Sequence, residues 1–223
     1  MHFCQMMKKT IAYIDGYNLY YGLLKGAPHI KWLDIRALVS AMFKEEHELL
    51  AVKFFTAHVR TYPHDLMAEE RQKIYLQALG AFGGVEIIEG FYSKKKVWMP
   101  HVSEKCKTCT EAHAGLARVV KLEEKRSDVN LAVTALVDAM RTDVDCFALV
   151  TGDADQAGTI CALRREFKKP VLVFNPHVAV SEHLKRVATY YAHIPRDLPA
   201  RCQLPEVVPL PNGRTVHRPP AWA

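Results

Sequence analysis

Four aspartates occupy the chemically suggestive positions of this chain. Asp15 closes the apolar run TIAYID, Asp128 opens SDVNLAV, and Asp153 and Asp155 follow the apolar CFALV in VTGDAD. A lone carboxylate at the end of a buried strand is costly unless something partners it. Carboxylates that meet within a few ångströms raise one another's pKa unless a divalent cation neutralises them. Hard oxygen donors of this kind select Mg²⁺ or Mn²⁺ over Zn²⁺, and the chemistry such a cation supports is phosphodiester hydrolysis by metal-activated water. Asn18, one helical turn beyond Asp15, is placed to orient a phosphate oxygen or a water without adding charge, and Asn130 is a second candidate. Each aspartate alone has an ordinary explanation as well. Asp-Gly is a common turn, and Asp128 behind a capping Ser127 suits a helix N-terminus whatever its chemistry.

A second constellation lies in HVSEKCKTCTEAH, where His101, Cys106, Cys109 and His113 are spaced H-x4-C-x2-C-x3-H. These groups suit tetrahedral Zn²⁺, although a single Cys-x-x-Cys also describes two reduced surface thiols. Lys94, Lys95, Lys96, Lys121, Lys125 and Arg126 flank this knuckle. Cations around an acidic pocket offset its repulsion of a phosphate backbone, and Phe91, Tyr92 and Trp98 are candidates to stack on unpaired bases. Tyr17, Tyr20 and Tyr21, beside the first acidic position, read as packing residues. The formal charge of +6 and pI near 9.0 suit a polyanionic partner.

The elements that must position these groups alternate. TIAYID, LAVKFFTAH, VEIIEGFYS, DCFALVTGDAD, PVLVFNP and YYAHI read as strands; LDIRALVSAMFKEEHE, HDLMAEERQKIYLQALGAF, SDVNLAVTALVDAM, QAGTICALRREF and SEHLKRVA read as helices. That rhythm predicts an α/β fold, a three-layer α/β/α sandwich on a mainly parallel central sheet. In such sheets ligands sit outside the carboxyl ends of the strands. If the first and fourth strands are neighbours, all four carboxylates surround one pocket. Residues 1–194 read as one domain with an insertion at about 94–126. Residues 195–223 hold seven of the twelve prolines and read as an extended tail.

No apolar run of roughly eighteen residues is present to span a bilayer. The start MHFCQMMKKTIAYID carries its lysines after the apolar stretch, the reverse of a secretory signal, so a cytoplasmic location is expected. Six cysteines without an export signal do not suggest a disulfide framework, and Cys146 and Cys161 sit in core-like contexts. The sequence leaves the oligomeric state open.

Taken together, YIDGYNLYYGL, EEKRSDVNLAVTALVDA and CFALVTGDADQAGTICALRREFKKPVLVF resemble the NYN domain, the LabA-like branch of the PIN-like nuclease superfamily, over roughly residues 8 to 194. The resemblance implies a Rossmann-like sandwich and a metal-dependent ribonuclease. Asp15, Asp128, Asp153 and Asp155 would hold Mg²⁺ or Mn²⁺ with Asn18 beside them. RNA would be the partner, with Lys94, Lys95, Lys96, Lys125 and Arg126 on its backbone. Many relatives read Gly-Asp-Ser-Asp-Phe where this chain has GDADQ, and many carry an Asp in place of Thr134. A non-catalytic RNA-binding module that keeps the fold is the alternative. A haloacid-dehalogenase-type phosphatase fits less well, since it needs an acid at the position of Tyr17.

Overall fold

The computed structural model describes residues 7–59, 65–100, 116–141 and 143–223. Alternation along β1 (Lys8–Asp15) sets the layering: Ala12 and Ile14 face one side of the sheet and Ile11 and Tyr13 the other, all of them buried. A strand covered on both faces belongs in the middle of a parallel sheet. It is joined there by β2 (His47–Thr56), β3 (Val85–Glu89), β6 (Cys146–Val150), β7 (Val171–Asn175) and β8 (Tyr190–His193). These pair in parallel in the order β3-β2-β1-β6-β7-β8. The first strand and the fourth strand of the sheet are therefore neighbours, with Ile14 beside Val150. From β1 the sheet grows in both directions, so the crevice where its order reverses opens at the carboxyl ends of β1 and β6.

Helices complete the three layers. The short α1 (Gly16–Leu19) runs into a π-helical turn, Tyr20–Leu24, and packs with α2 (Ile35–Met42) and α3 (Ala68–Phe82) over the Ala12 face. The Ile11 face is covered by α4 (Ser127–Ala139), α5 (Ala157–Arg165) and α6 (Glu182–Val187), through Leu131, Ala135, Ile160, Leu163 and Leu184. Asp34 caps α2, accepting the Ala37 amide at 2.9 Å.

The sequence boundaries shift in three places. The second strand begins at His47, because Lys8 pairs with His47 and draws the end of LDIRALVSAMFKEEHE into the sheet. VEIIEGFYS divides at Gly90: β3 stays in the sheet, while β4 (Phe91–Pro100) leaves it to pair antiparallel with β5 (Leu116–Lys125) as a separate ribbon. Ser127 is the first helical residue of α4 and not its cap; Arg126, at φ 79°, makes the turn out of β5 instead. The proposed zinc ligands His101, Cys106, Cys109 and His113 lie outside the described residues.

Residues 195–223 carry α7 (Leu198–Arg201), the ribbon of β9 (Val207–Pro209) with β10 (Thr215–His217), and a 3-10 turn, Pro220–Trp222. Leu198, Cys202, Leu204 and Val208 join the core, and the Trp32 indole donates to the Pro205 carbonyl at 2.7 Å. The proline content conceals this packing, since it removes helical period without removing apolar side chains.

One buried polar cluster locks α4 to the sheet. Asp138 accepts from the Tyr13 hydroxyl at 2.7 Å and from Lys53 Nζ at 2.7 Å, tying α4 to β1 and β2 together. Burial and the adjacent Asp138 push the Tyr13 phenol well above its ordinary pKa. Asp138 thus serves the fold. Replacing it by Ala leaves the buried Lys53 ammonium on its longer ion pair with Glu86, at 3.6 Å, and removing one partner of a buried ion pair costs up to about 3–5 kcal/mol. Urea unfolding of Asp138→Ala should show a loss in that range, with much of it recovered in the Lys53→Met, Asp138→Leu double variant.

Candidate active site

Asp15 is the last residue of β1 and is 2 % exposed. Its partners are donors. Oδ1 accepts the Asn18 amide at 2.9 Å, which caps α1, while Oδ2 accepts Asn18 Nδ2 at 2.6 Å and the Thr151 hydroxyl at 3.0 Å. Burial nevertheless wins: the carboxyl is held above its usual range, with Asp153 adding to the rise and the Asn18 and Thr151 hydrogen bonds opposing it.

Thr151 joins the two ends of the crevice. Its hydroxyl donates to Asp15 and accepts the Asp153 amide at 3.1 Å, so β1 and the loop after β6 are linked through one oxygen. Asn18 makes the next link, its Oδ1 accepting the Gly152 amide at 3.2 Å and lying 3.0 Å from His177 Nε2. A carbonyl oxygen only accepts, so His177 carries its proton on Nε2. Burial, and then Arg196, lower its pKa and favour the neutral ring. Asn18 therefore turns its amide onto Asp15, Gly152 and His177, where the sequence reading has it facing substrate. Gly152 permits the contact: a Cβ there would meet His177 Cδ2 at 2.6 Å and Asn175 Oδ1 at 2.7 Å. The sequence reading omits His177. Its signal is position, since FNPH follows β7, the strand beside β6.

The remaining acids surround this link. Asp153 Oδ1 accepts the Asp155 amide at 3.0 Å and starts the turn into α5. Asp128, at the start of α4, has a carboxyl raised to about 6, by loss of hydration first and then by Asp15, Asp153 and Asp155. Asp128 thus feels the other three sequence-predicted aspartates, and Asp15 feels Asp153. Gln156, which departs from the relatives' aromatic, is buried; its Nε2 approaches the Asp128 carbonyl at 3.4 Å and its Oε1 accepts from Thr159 at 3.0 Å.

A fifth acid emerges from β5. Glu124 is raised by burial and by Asp15 and Asp128, and its Oε1 is buried without a hydrogen-bond partner. It lies in EEKR, inside the segment read as an insertion, and nothing in its local spacing marks it. Among the described residues, no group of three or more His, Cys, Asp or Glu side chains is placed to hold a metal ion. An all-oxygen donor set under mutual repulsion, with one orphaned buried carboxylate oxygen, is nonetheless suited to a hard divalent cation.

The other predicted contacts separate. Lys94, Lys95 and Lys96 are exposed on β4, successive side chains pointing to opposite faces. Lys125 and Lys121 both pair with Glu123, the former at 3.0 Å. Arg126 lies 4.8 Å from the centroid of the Phe91 ring. Asn130 Nδ2 reaches the Glu89 carbonyl at 3.4 Å and helps fasten α4 to β3.

Comparison with known families matches residues 9–195 to the NYN domain. The chain belongs to the NYN domain family. NYN domains are PIN-like, and the nuclease-like sandwich agrees with the parallel sheet and with acids at its carboxyl edge. A curated relative, 6-hydroxy-3-succinoylpyridine 3-monooxygenase HspA of Pseudomonas putida (strain DSM 28022 / S16), is 31% identical, covering 96% of this chain and 75% of its own. A solved protein of unknown function, VPA0982 of Vibrio parahaemolyticus RIMD 2210633, shares the fold at TM-score 0.52 and 19% identity, over 88% of this chain and 98% of its own. No helix among the described residues is long and apolar enough to cross a membrane.

The crowding of acids has a pH signature. A carboxyl with a raised folded-state pKa contributes stability below its unfolded value of about 4. That contribution is lost as pH rises through about 6 for Asp128. In chelator, the melting temperature of the wild type should therefore fall between pH 5 and pH 7 more than that of Asp128→Asn. At pH 7 Mn²⁺ should restore it in the wild type alone. Parallel pH profiles for the two proteins would contradict this account.

Proposed function

We propose that this NYN domain is a metal-dependent ribonuclease, hydrolysing phosphodiester bonds of single-stranded or structured RNA at the carboxyl edge of β1 and β6. The observation that supports the reading is that Asp15, Asp128 and the neighbouring Asp153 and Asp155, from three separate stretches of the chain, meet at one crevice, where Asp153 raises the Asp15 carboxyl and Asp15, Asp153 and Asp155 raise that of Asp128. Asp15, Asp128, Asp153 and Asp155 would hold Mg²⁺ or Mn²⁺, and Glu124 extends the donor set. When bound, the cation supplies acidified water and charge stabilisation at the phosphate.

The chain's own residues supply position. Thr151 and Asn18 fix the Asp15 carboxylate, and a donor on each of its oxygens leaves little rotational freedom. His177 and Gly152 hold Asn18 from the β7 and β6 sides. Gln156 steadies the start of α4, and with it Asp128, from the β6 loop. The altered GDADQ sequence therefore supplies a contact that supports the Asp128 end of α4. Lys94, Lys95 and Lys96 offer exposed charge for the RNA backbone, at a cost in affinity as salt rises.

A second reading draws on the Pseudomonas relative, whose name describes oxygenation of a pyridine. A cavity lined by aromatic side chains beside Asp15 gives that reading a physical basis.

Labelled single-stranded RNA incubated with the protein and Mn²⁺ should be cut, and Asp153→Asn should slow cleavage by about 100-fold or more. Equal cleavage by both proteins would assign the activity to a contaminant. Intact RNA under Mg²⁺ and Mn²⁺ alike, with retained binding, would favour the non-catalytic module.

A further inference from the structure

Beside the acidic crevice lies a cavity of about 410 Å³ that shares Glu124 with the acid cluster and is lined by none of the four aspartates. Gly16, next to Asp15, and Glu124 border it on the acidic side. Its walls are rings: Tyr17, Tyr20, Tyr21, Phe54, Tyr75 and Trp222. Several are anchored. Tyr75 donates to the Leu33 carbonyl at 2.8 Å, and Trp222 rests against Tyr75 with ring centroids 5.9 Å apart. The Phe54 ring is pressed against the Asp15–Gly16 corner, where a Cβ on Gly16 would lie 2.7 Å from it. By contrast, Tyr20 and Tyr21 stay 39 % and 45 % exposed.

Cations gather at the same cavity. Lys25 Nζ sits 4.6 Å from the Tyr21 centroid and Lys31 Nζ 5.4 Å from that of Tyr20. Arg71, also on the wall, is held by both oxygens of Asp65 at 2.6 and 2.5 Å. Lys31 is half-buried and loses hydration there, so its ammonium lacks part of the solvent that an anion would replace. Half-exposed tyrosine rings packed against one another, ammonium groups over them and a volume in the range of small-molecule sites describe a receptor for a flat heteroaromatic ring bearing a negative charge.

We propose that this cavity binds one unstacked nucleotide, its base among the tyrosines and its phosphate toward Lys25 and Lys31. The proposal rests on the nuclease reading for its substrate class, since the base of a strand entering here lies beside the acids. Trp222 falls outside the family match, so part of the wall is supplied by the segment that follows the NYN domain. Base–aromatic stacking is worth about 1–3 kcal/mol per base, enough for one tyrosine to matter. A free heteroaromatic acid, such as a hydroxypyridine carboxylate, presents the same chemistry from another source.

The test is calorimetric titration of the full chain in chelator, with the four nucleoside 5′-monophosphates in one arm and 6-hydroxypyridine-3-carboxylate in the other. A monophosphate should bind, and Tyr20→Ala should weaken it by about tenfold or more. Lys31→Ala should weaken the monophosphate by a similar factor of about ten but leave the matching nucleoside little changed. Circular dichroism confirms that both variants fold. Binding by the pyridine carboxylate alone overturns the nucleotide assignment in favour of a free acid. No binding in either arm, or unchanged affinity in the folded variants, overturns the site itself. Cleavage of RNA under Mn²⁺ is scored separately. Nucleotide binding with intact RNA removes the nuclease reading and leaves this site standing, whereas cleavage without nucleotide binding does the reverse.

Discussion

A carboxylate buried at the end of the central strand governs this molecule. Asp15 lies where the strand order reverses, so no side chain can approach it without coming from a helix N-terminus or from the loop after a neighbouring strand. Its donors come from both: Asn18 from α1 and Thr151 from the end of β6. These hydrogen bonds offset the burial penalty only in part, and the raised carboxyl pKa measures what remains. Asp153 and Asp128 then add repulsion to a group that already resists ionisation. A protein that concentrates uncompensated negative charge at one crevice accepts instability there, and such concentration is characteristic of functional sites.

The rest of the architecture supports that concentration. Asp128 arrives on α4, whose opposite end is fixed by the Tyr13–Asp138–Lys53 cluster beneath the sheet. Over the roughly 15 Å that separate ten residues of helix, this leaves little freedom at the Asp128 end. Gln156 and Asn130 attach that end to the β6 loop and to β3. The helix is thus pinned at both ends, against the repulsion that would otherwise push Asp128 out toward solvent.

The two sides of Asp15 have different characters. Toward β6 and β7 lie acids and amides, joined by short hydrogen bonds; toward α1 and α3 lie aromatic rings and cations. Phe54 separates them, pressed against the backbone corner that begins α1. On the proposed function, the hard oxygen donors on one side would serve chemistry and the ring-lined recess on the other recognition.

Sequence alone determined the alternation of strand and helix, the burial of TIAYID and CFALV on both faces, and the identity of the four aspartates, because apolar periodicity and strand-ending carboxylates are local features. Tertiary structure decided the rest. Glu124 became part of the acid cluster only because the β5 ribbon returns to the crevice before α4 begins. His177 entered through the adjacency of β6 and β7, and Asn18 was turned inward by Gly152, a contact between residues 134 positions apart. Tyr20 and Tyr21, which read as packing, line a recess closed in part by Trp222 from the proline-rich C-terminal segment. Such relations depend on which chain segments meet in space, and the spacing of residues along the chain carries no record of them.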